Sequence, residues 1–177
     1  DIVVPSSDGC HALAIVSDND SYFKSAIWSP DGTKIAYVRG DHSSVGTELY
    51  SANPDGSDIR LLRSIDGEVD ALTWSPDGGR IAYAAKRDDI WNIFTIAADG
   101  SDEQQITHSD AGAERPYWSA DGSRIRYMTE VDQVPGYYAL DYFEIDLATG
   151  ETRPLDIFEE GDYGPVWSPD DSRIAFQ

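Results

Sequence analysis

Trp28-Ser29-Pro30-Asp31-Gly32 recurs along the chain as Trp74-Ser75-Pro76-Asp77-Gly78, as Trp118-Ser119-Ala120-Asp121-Gly122 and as Trp167-Ser168-Pro169-Asp170-Asp171. Successive tryptophans are 46, 44 and 49 residues apart. A period near ~40–45 residues marks a repeat architecture in which each unit is a four-stranded sheet. A short extended run precedes each tryptophan: Ser25-Ala26-Ile27, Ala71-Leu72-Thr73, Arg115-Pro116-Tyr117 and Gly164-Pro165-Val166. The Pro-Asp-Gly that follows predicts a tight turn. Proline presets φ, aspartate bonds the nearby backbone and glycine tolerates positive φ.

A second strand comes next: Lys34-Ile35-Ala36-Tyr37, Arg80-Ile81-Ala82-Tyr83, Arg124-Ile125-Arg126-Tyr127 and Arg173-Ile174-Ala175-Phe176. Strand alternation puts the isoleucine and the aromatic on one face and alanine on the other. Large residues on one face and small ones on the other predict sheets that interdigitate. Arg126 breaks the pattern, so it is expected near an edge or beside an acidic partner. A second hairpin turns at Asp8-Gly9, Asp55-Gly56, Asp99-Gly100 and Thr149-Gly150. Ile2, Leu49, Ile93 and Phe143 stand at one offset before these glycines. No 3.6-residue apolar period runs over ten residues, so no helix is expected.

The fold class that follows is all-β: a β-propeller of four-stranded blades (strands a to d), with strand a innermost and four blade equivalents in one domain over residues 1–177. The chain opens with a c–d hairpin (residues 1–17) and closes with an a–b hairpin (about 163–177). Full blades occupy about 24–64, 70–107 and 114–156. The complementary halves suit a composite closing blade, which removes exposed sheet edges. Three outcomes stand open: a four-bladed ring within one chain, a homodimer closing an eight-bladed ring, or part of a longer propeller. Asp31, Asp77, Asp121 and Asp170 read as turn formers, and Trp28, Trp74, Trp118 and Trp167 as blade-packing residues.

Composition narrows the function. The chain carries 33 acidic residues against 13 basic ones, a formal net charge of −20. Nucleic-acid binders neutralise phosphates with Lys and Arg, so nucleic acid is not an expected partner. Anionic membrane surfaces are disfavoured likewise, and no apolar run approaches the ~20 residues of a membrane-inserted helix. A basic protein or peptide, divalent cations or a salty environment remain open. A single cysteine, Cys10, forms no internal disulfide and leaves the redox compartment unread.

The Trp-Ser-Pro-Asp-Gly turn, the [Lys/Arg]-Ile-Ala-[Tyr/Phe] strand and the later Asp-Gly turn resemble the TolB-type repeat, also called the WD40-like or PD40 repeat. The resemblance covers essentially the whole chain. Ala120, Asp171 and Thr149 depart from it, replacing proline, glycine and aspartate. It implies an exported propeller, periplasmic or extracellular, that serves as a binding platform. It also implies a second reading, because similar propellers form gating or regulatory segments of prolyl-oligopeptidase-like and tricorn-like peptidases. A third reading is an excised or engineered propeller fragment that self-assembles.

No catalytic constellation is visible, and the chain is read as a non-enzyme. His11, His42 and His108 fall in loops or beside turns, and there is no Gly-x-Ser-x-Gly, His-Glu-x-x-His or Cys-x-x-Cys. In a meander the a–b and c–d turns share one rim, while the b–c and d–a loops share the other. The first rim carries the repeated Asp-Gly turns. The second carries the non-repeated segments, with Asp18, Asp20, Asp66, Glu68, Asp110, Glu114, Glu159, Glu160 and Asp162 in d–a loops and Asp41, Asp88, Asp89, Glu130 and Asp132 in b–c loops. That places fourteen of the 33 acidic residues on one rim. Tyr137 and Tyr138 accompany them. The candidate partner-binding set is Asp18, Asp20, Asp41, Asp88, Asp89, Glu130, Asp132, Glu159, Glu160, Asp162, Tyr137 and Tyr138. Charge steers a basic segment to such a rim and aromatics anchor it. No cofactor is required. Ca²⁺ is a weaker alternative, with Asp18 and Asp20 as its ligand candidates.

Overall fold

A computed structural model describes residues 2–5, 12–16, 21–41, 46–134, 137–155, 165–168 and 170–175. These residues form sixteen strands and no helix. Strands β1 (Ile2–Pro5) and β2 (Ala12–Val16) pair as a two-stranded sheet. Three four-stranded sheets follow, each an antiparallel meander. The first holds β3 (Ser21–Trp28), β4 (Ile35–Asp41), β5 (Thr47–Ala52) and β6 (Arg60–Ile65). The second holds β7 (Glu68–Trp74), β8 (Arg80–Arg87), β9 (Ile90–Ala97) and β10 (Gln104–Gln105). The third holds β11 (Glu114–Trp118), β12 (Arg124–Val134), β13 (Tyr137–Asp146) and β14 (Thr152–Pro154). A last pair joins β15 (Val166–Trp167) to β16 (Ile174–Ala175).

This is the expected succession of blades with the expected phase. The sheets do not close into a ring: β1–β2 and β15–β16 remain separate two-stranded sheets, and no pairing joins them among the described residues. Neighbouring blades meet chiefly through their first strands, β3 on β7 and β7 on β11. That is the geometry of spokes sharing a hub.

Large-on-small packing holds the blades together. Ala36, Val38 and Leu49 of the first full blade share a buried cluster with Trp74, Ile81, Tyr83, Phe94 and Ile96 of the second. Ala82, Ala84 and Ile93 of the second then receive Trp118, Ile125, Tyr127 and Ile145 of the third. Each blade thus presents its alanine face forward and its aromatic face backward. Fully burying one such large side chain is worth about 1.5–3 kcal/mol. Trp74 and Trp118 are buried, and Trp118 donates its indole N–H to the carbonyl of Thr73 in the preceding blade at 3.3 Å. Trp28 is 49% exposed, because the preceding sheet supplies only two outer strands to cover it.

The first turn is a bracket built by serine as much as by aspartate. Ser29 Oγ donates to Asp31 Oδ1 at 2.7 Å and accepts the Lys34 backbone N–H at 2.9 Å. Ser75–Asp77, Ser119–Asp121 and Ser168–Asp170 repeat the contact at 2.6, 2.6 and 2.7 Å. The turn glycines sit at φ 70, 69 and 70°, and Asp171 takes the same left-handed backbone at 59°.

The second turn corrects one alignment. Gly56 and Gly100 each bond back three residues, to Asn53 and Ala97, whereas Gly150 bonds back four, to Asp146. The third blade's turn is one residue longer, so counting back from its glycine shifts the strand by one. Met128 pairs with Tyr142, as Val38 does with Leu49 and Ala84 with Ile93. Tyr142, and not Phe143, is the counterpart of Leu49 and Ile93. Phe143 lies on the backward face, stacked on Tyr127 at 5.7 Å. Thr149 does stand in for the turn aspartate: its hydroxyl accepts the Glu151 N–H at 3.2 Å, as Asp55 and Asp99 accept those of Ser57 and Ser101 at 2.9 Å. Asp146 adds a second cap, accepting the backbone N–H groups of Ala148 and Thr149 at 3.0 Å each.

The first strands share a further device. Three residues before each buried or half-buried tryptophan the first strand bulges, and the residue there adopts positive φ: Ser25 at 51°, Ala71 at 50° and Arg115 at 50°. The pairing register slips at each point, between Lys24 and Ile27, Asp70 and Thr73, and Glu114 and Tyr117. Left-handed backbone costs an L-residue roughly 1–2 kcal/mol, and more when the side chain branches at Cβ. Ala71→Val should therefore unfold at lower urea than Ala71→Gly, by about 1–2 kcal/mol in stability. Equal midpoints for the two variants would mean the bulge is not strained.

Candidate functional site

The loop rim opposite the repeated turns is the candidate site. Its described part comprises the β4–β5, β8–β9 and β12–β13 ends. Asp88 and Asp89 form the two-residue turn between Arg87 and Ile90, which pair with each other. Their φ values are 52 and 65°, the left-handed pair a tight hairpin of this kind requires. Aspartate tolerates that backbone better than most residues. Both are exposed, and Asp89 Oδ1 lies 3.4 Å from Lys86 Nζ. The turn explains these two carboxylates structurally while leaving them open to solvent.

The β12–β13 end departs from expectation. The sequence pattern puts Glu130 and Asp132 in a b–c loop, accompanied by Tyr137 and Tyr138. They lie instead within paired strands: Glu130 opposite Leu140, Asp132 opposite Tyr138 and Val134 opposite Tyr137. Among the described residues, pairing ends at Gly40–Thr47 in the first blade and Arg87–Ile90 in the second. The third hairpin runs four residues past Glu130, the counterpart of Gly40, which is about 13 Å at 3.3–3.4 Å per residue. Long strand alternation, Val131-Asp132-Gln133-Val134 against Tyr137-Tyr138-Ala139-Leu140, was the signal available in the sequence.

Asp41 closes β4 opposite Ser21, and Glu68 and Glu114 open β7 and β11 and do not lie in loops. Asp66 and Asp110 do lie between strands and are exposed. Asp18, Asp20, Glu159, Glu160 and Asp162 lie outside the described residues, as do His11 and His42. His108 is exposed after β10. No group of three or more His, Cys, Asp or Glu side chains converges as a metal site among the described residues. The calcium candidates Asp18 and Asp20 are not among them.

Cations are spent inside the fold. Glu103 accepts the Tyr83 hydroxyl and pairs with Arg63 of the preceding blade and Arg87 of its own, at 3.0 Å each. Burial, then the Glu103 hydrogen bond, pushes the Tyr83 hydroxyl far above the ordinary tyrosine range. Tyr37, stacked on Tyr50 at 5.4 Å, is pushed up to about 12 chiefly by burial. Neither tyrosine can serve as a base near neutrality. The departure Arg126 is only 7% exposed and has the expected acidic partners, Glu144 at 3.0 Å and Asp171 at 2.8 Å.

A meander of four-stranded blades, with repeated bracketed turns on one rim and unlike loops on the other, defines a β-propeller. The chain belongs to the TolB β-propeller domain family, which it matches over residues 1–177. Among solved structures it is similar to TolB from Acinetobacter baumannii, with TM-score 0.77 at 20% identity over 98% of this chain and 42% of that one. Oligogalacturonate lyase from Vibrio parahaemolyticus gives TM-score 0.75 at 13% identity, over 97% of this chain and 51% of that one. Dipeptidyl peptidase 4 from Porphyromonas gingivalis gives 0.72 at 17% identity, over 94% and 24% respectively. This chain therefore spans 42 and 51% of the first two of these proteins, and the likeness is one of fold. No curated protein matches it. Among the described residues no helix is long and apolar enough to cross a membrane.

Titration is shifted on the turn rim. Asp31, Asp55, Asp77, Asp99, Asp121 and Asp146 are all held below the ordinary carboxylate range, and Asp170 is lowered to about 2. In all but Asp146 the largest cause is a serine hydroxyl, and in Asp146 it is the Thr149 N–H. A carboxyl depressed in the folded state stabilises it above the unfolded pKa, and this stabilisation fades as pH falls through the folded value. Asp77→Asn should thus unfold earlier than the native chain near neutrality. The gap should narrow below about pH 4 and close once the folded carboxyl protonates. A gap constant from pH 7 to 2 in urea titrations would overturn the assignment.

Proposed function

We propose that this chain is a non-catalytic binding platform for a basic protein or peptide segment, engaged on the loop rim. The observation that carries the reading is the contrast between rims. One repeats a single bracketed turn. The other differs in every blade, exposes Asp88 and Asp89, and bears the extended β12–β13 hairpin. Irregular loops on a rigid scaffold are where binding concentrates. Glu159, Glu160, Asp162, Asp18, Asp20 and Asp41 belong to the same proposed surface, with Tyr137 and Tyr138 as its anchors. A periplasmic or extracellular setting accords with the family.

The probe is an unstructured Lys/Arg-rich peptide titrated at low and at physiological salt. The native chain should bind it saturably. Asp88→Asn and Asp89→Asn, which keep the left-handed turn, together with Glu159→Lys and Glu160→Lys, should weaken binding about tenfold or more. Asp55→Asn with Asp99→Asn, on the other rim, should leave it unchanged. Equal losses from both sets would reduce the interaction to net charge and end this reading.

A second reading has support in the Porphyromonas gingivalis peptidase likeness over 24% of that protein. In it this propeller is a gating or regulatory segment, and a separate α/β domain performs the hydrolysis. A Gly-x-Ser-x-Gly segment following this one in a longer reading frame would favour it. The open half-blades also suit a homodimer closing an eight-bladed ring, for which the native mass is the test.

A further inference from the structure

Three departures from the repeat, Ala120, Arg126 and Asp171, lie far apart in sequence and meet at one seam. At the other seams the turn proline of one blade packs against the turn glycine of the next. Pro30 Cδ lies 3.8 Å from where a Cβ on Gly78 would sit, and Pro76 Cδ 3.6 Å from the same point on Gly122. The Arg126 position holds a fully buried alanine in these blades, Ala36 or Ala82. The seat is apolar and offers no N–H.

At the seam between the third full blade and the β15–β16 hairpin all three positions change together. Ala120 restores the N–H that proline lacks and donates it to Asp171 Oδ2 at 2.8 Å. Asp171 occupies the glycine position in the same left-handed backbone, at φ 59°. Arg126, on the alanine position, grips both Asp171 oxygens at 2.8 and 3.0 Å. Its guanidinium also covers the Trp167 ring at 3.7 Å and bonds Glu144 at 3.0 Å. Glu144, nearly fully buried, is held in turn by Arg124 at 3.5 Å and Arg153 at 2.6 Å.

No residue of β15 or β16 belongs to a buried apolar cluster among the described residues. The seam keeps a cavity of about 160 Å³ lined by Tyr117, Met128, Tyr142, Leu155 and Trp167. The three other seams are filled by buried apolar clusters. Here the fit is loose and the polar contacts are dense.

We propose that Ala120, Arg126 and Asp171 form a charge key that replaces the apolar seat, so that the β15–β16 hairpin docks on this blade alone and by electrostatics. A repeat protein whose seams are all alike invites docking in the wrong order. A buried ion pair is a poor source of net stability but can specify registry. The hairpin would clash with an apolar seat, because Asp171 would there lose every partner. A glycine-bearing hairpin would likewise leave Arg126 half-paired on this blade. Each set is consistent only with itself.

The test compares amide hydrogen exchange of Val166–Ser168 and Ile174–Ala175 with that of β7 to β9, in the full chain. Asp171→Gly and Ala120→Pro, single changes toward the repeat, should each speed exchange of the hairpin amides, Asp171→Gly by about tenfold or more, while β7 to β9 stay unchanged. The triple variant Ala120→Pro, Arg126→Ala, Asp171→Gly restores the repeat residues at all three positions, with Glu144 still held by Arg124 and Arg153, and should recover protection to within about threefold of the native chain. Unchanged protection in Asp171→Gly would overturn the key. So would a triple variant no better protected than Asp171→Gly. Should the triple variant fail to fold, Asp171→Asn decides: it keeps the left-handed backbone and an acceptor for Ala120, so loss of protection upholds the charge and native protection refutes it.

Discussion

Every blade here is apolar on both faces, and no four-stranded sheet can bury either face against itself. The chain resolves this by making the two faces unlike. The forward face is shallow, with Ala36 and Val38 or Ala82 and Ala84. The backward face is deep, with Ile81, Tyr83 and Phe94 or Ile125, Tyr127 and Phe143. A deep face fits only a shallow one at interior packing density. The stacking direction, the order of blades and the position of the tryptophan all follow from that pairing. The exposure of Trp28 is the same rule seen where its partner is a sheet of two strands.

The turns serve this packing by fixing where each strand begins. A one-residue slip would exchange the two faces of a strand. The serine–aspartate bracket prevents it at the first turn by closing the ring from Ser29 to Lys34 and its three counterparts. In the third blade the second turn gains a residue, and Asp146 adds a cap beside that of Thr149. Blade geometry survives the insertion because the pairing of Met128 with Tyr142 is set from the first turn, not the second.

What could be read from the sequence divides along this line. Features repeated in every copy, such as the tryptophans, the serine and aspartate of the first turn and the alternating second strand, carry four independent statements of the fold and its phase. Features present once were read less well. The extra turn residue misaligned Phe143, because glycine was used as the ruler and glycine had moved. Glu130 and Asp132 were assigned to a loop because polar residues there resemble one, although their alternation with Val131 and Val134 fits a paired strand. The bulges at Ser25, Ala71 and Arg115 carry no residue signature, since three different side chains occupy one left-handed backbone position. Arg126 was legible as an anomaly. Its partner Asp171 sits 45 residues away, beyond what local pattern can reach.

Charge ties the fold to its proposed role. At least ten of the thirteen basic residues are engaged in ion pairs within the blades or across their seams. Individually, the exposed pairs contribute little to stability. Together they cancel the cations against neighbouring carboxylates and leave few cations unpaired. The acidic excess of twenty is left without nearby compensation, and at physiological salt its reach is a Debye length of about 8 Å. The β12–β13 pairing runs three residues, about 10 Å, past the last pair of the second blade, which exceeds that reach. Over the rim as a whole a basic segment would feel attraction before contact, while at the hairpin tip only direct contacts would select it. Electrostatics would then govern the rate of encounter, and the aromatic strand Tyr137–Tyr138 the identity of what stays bound.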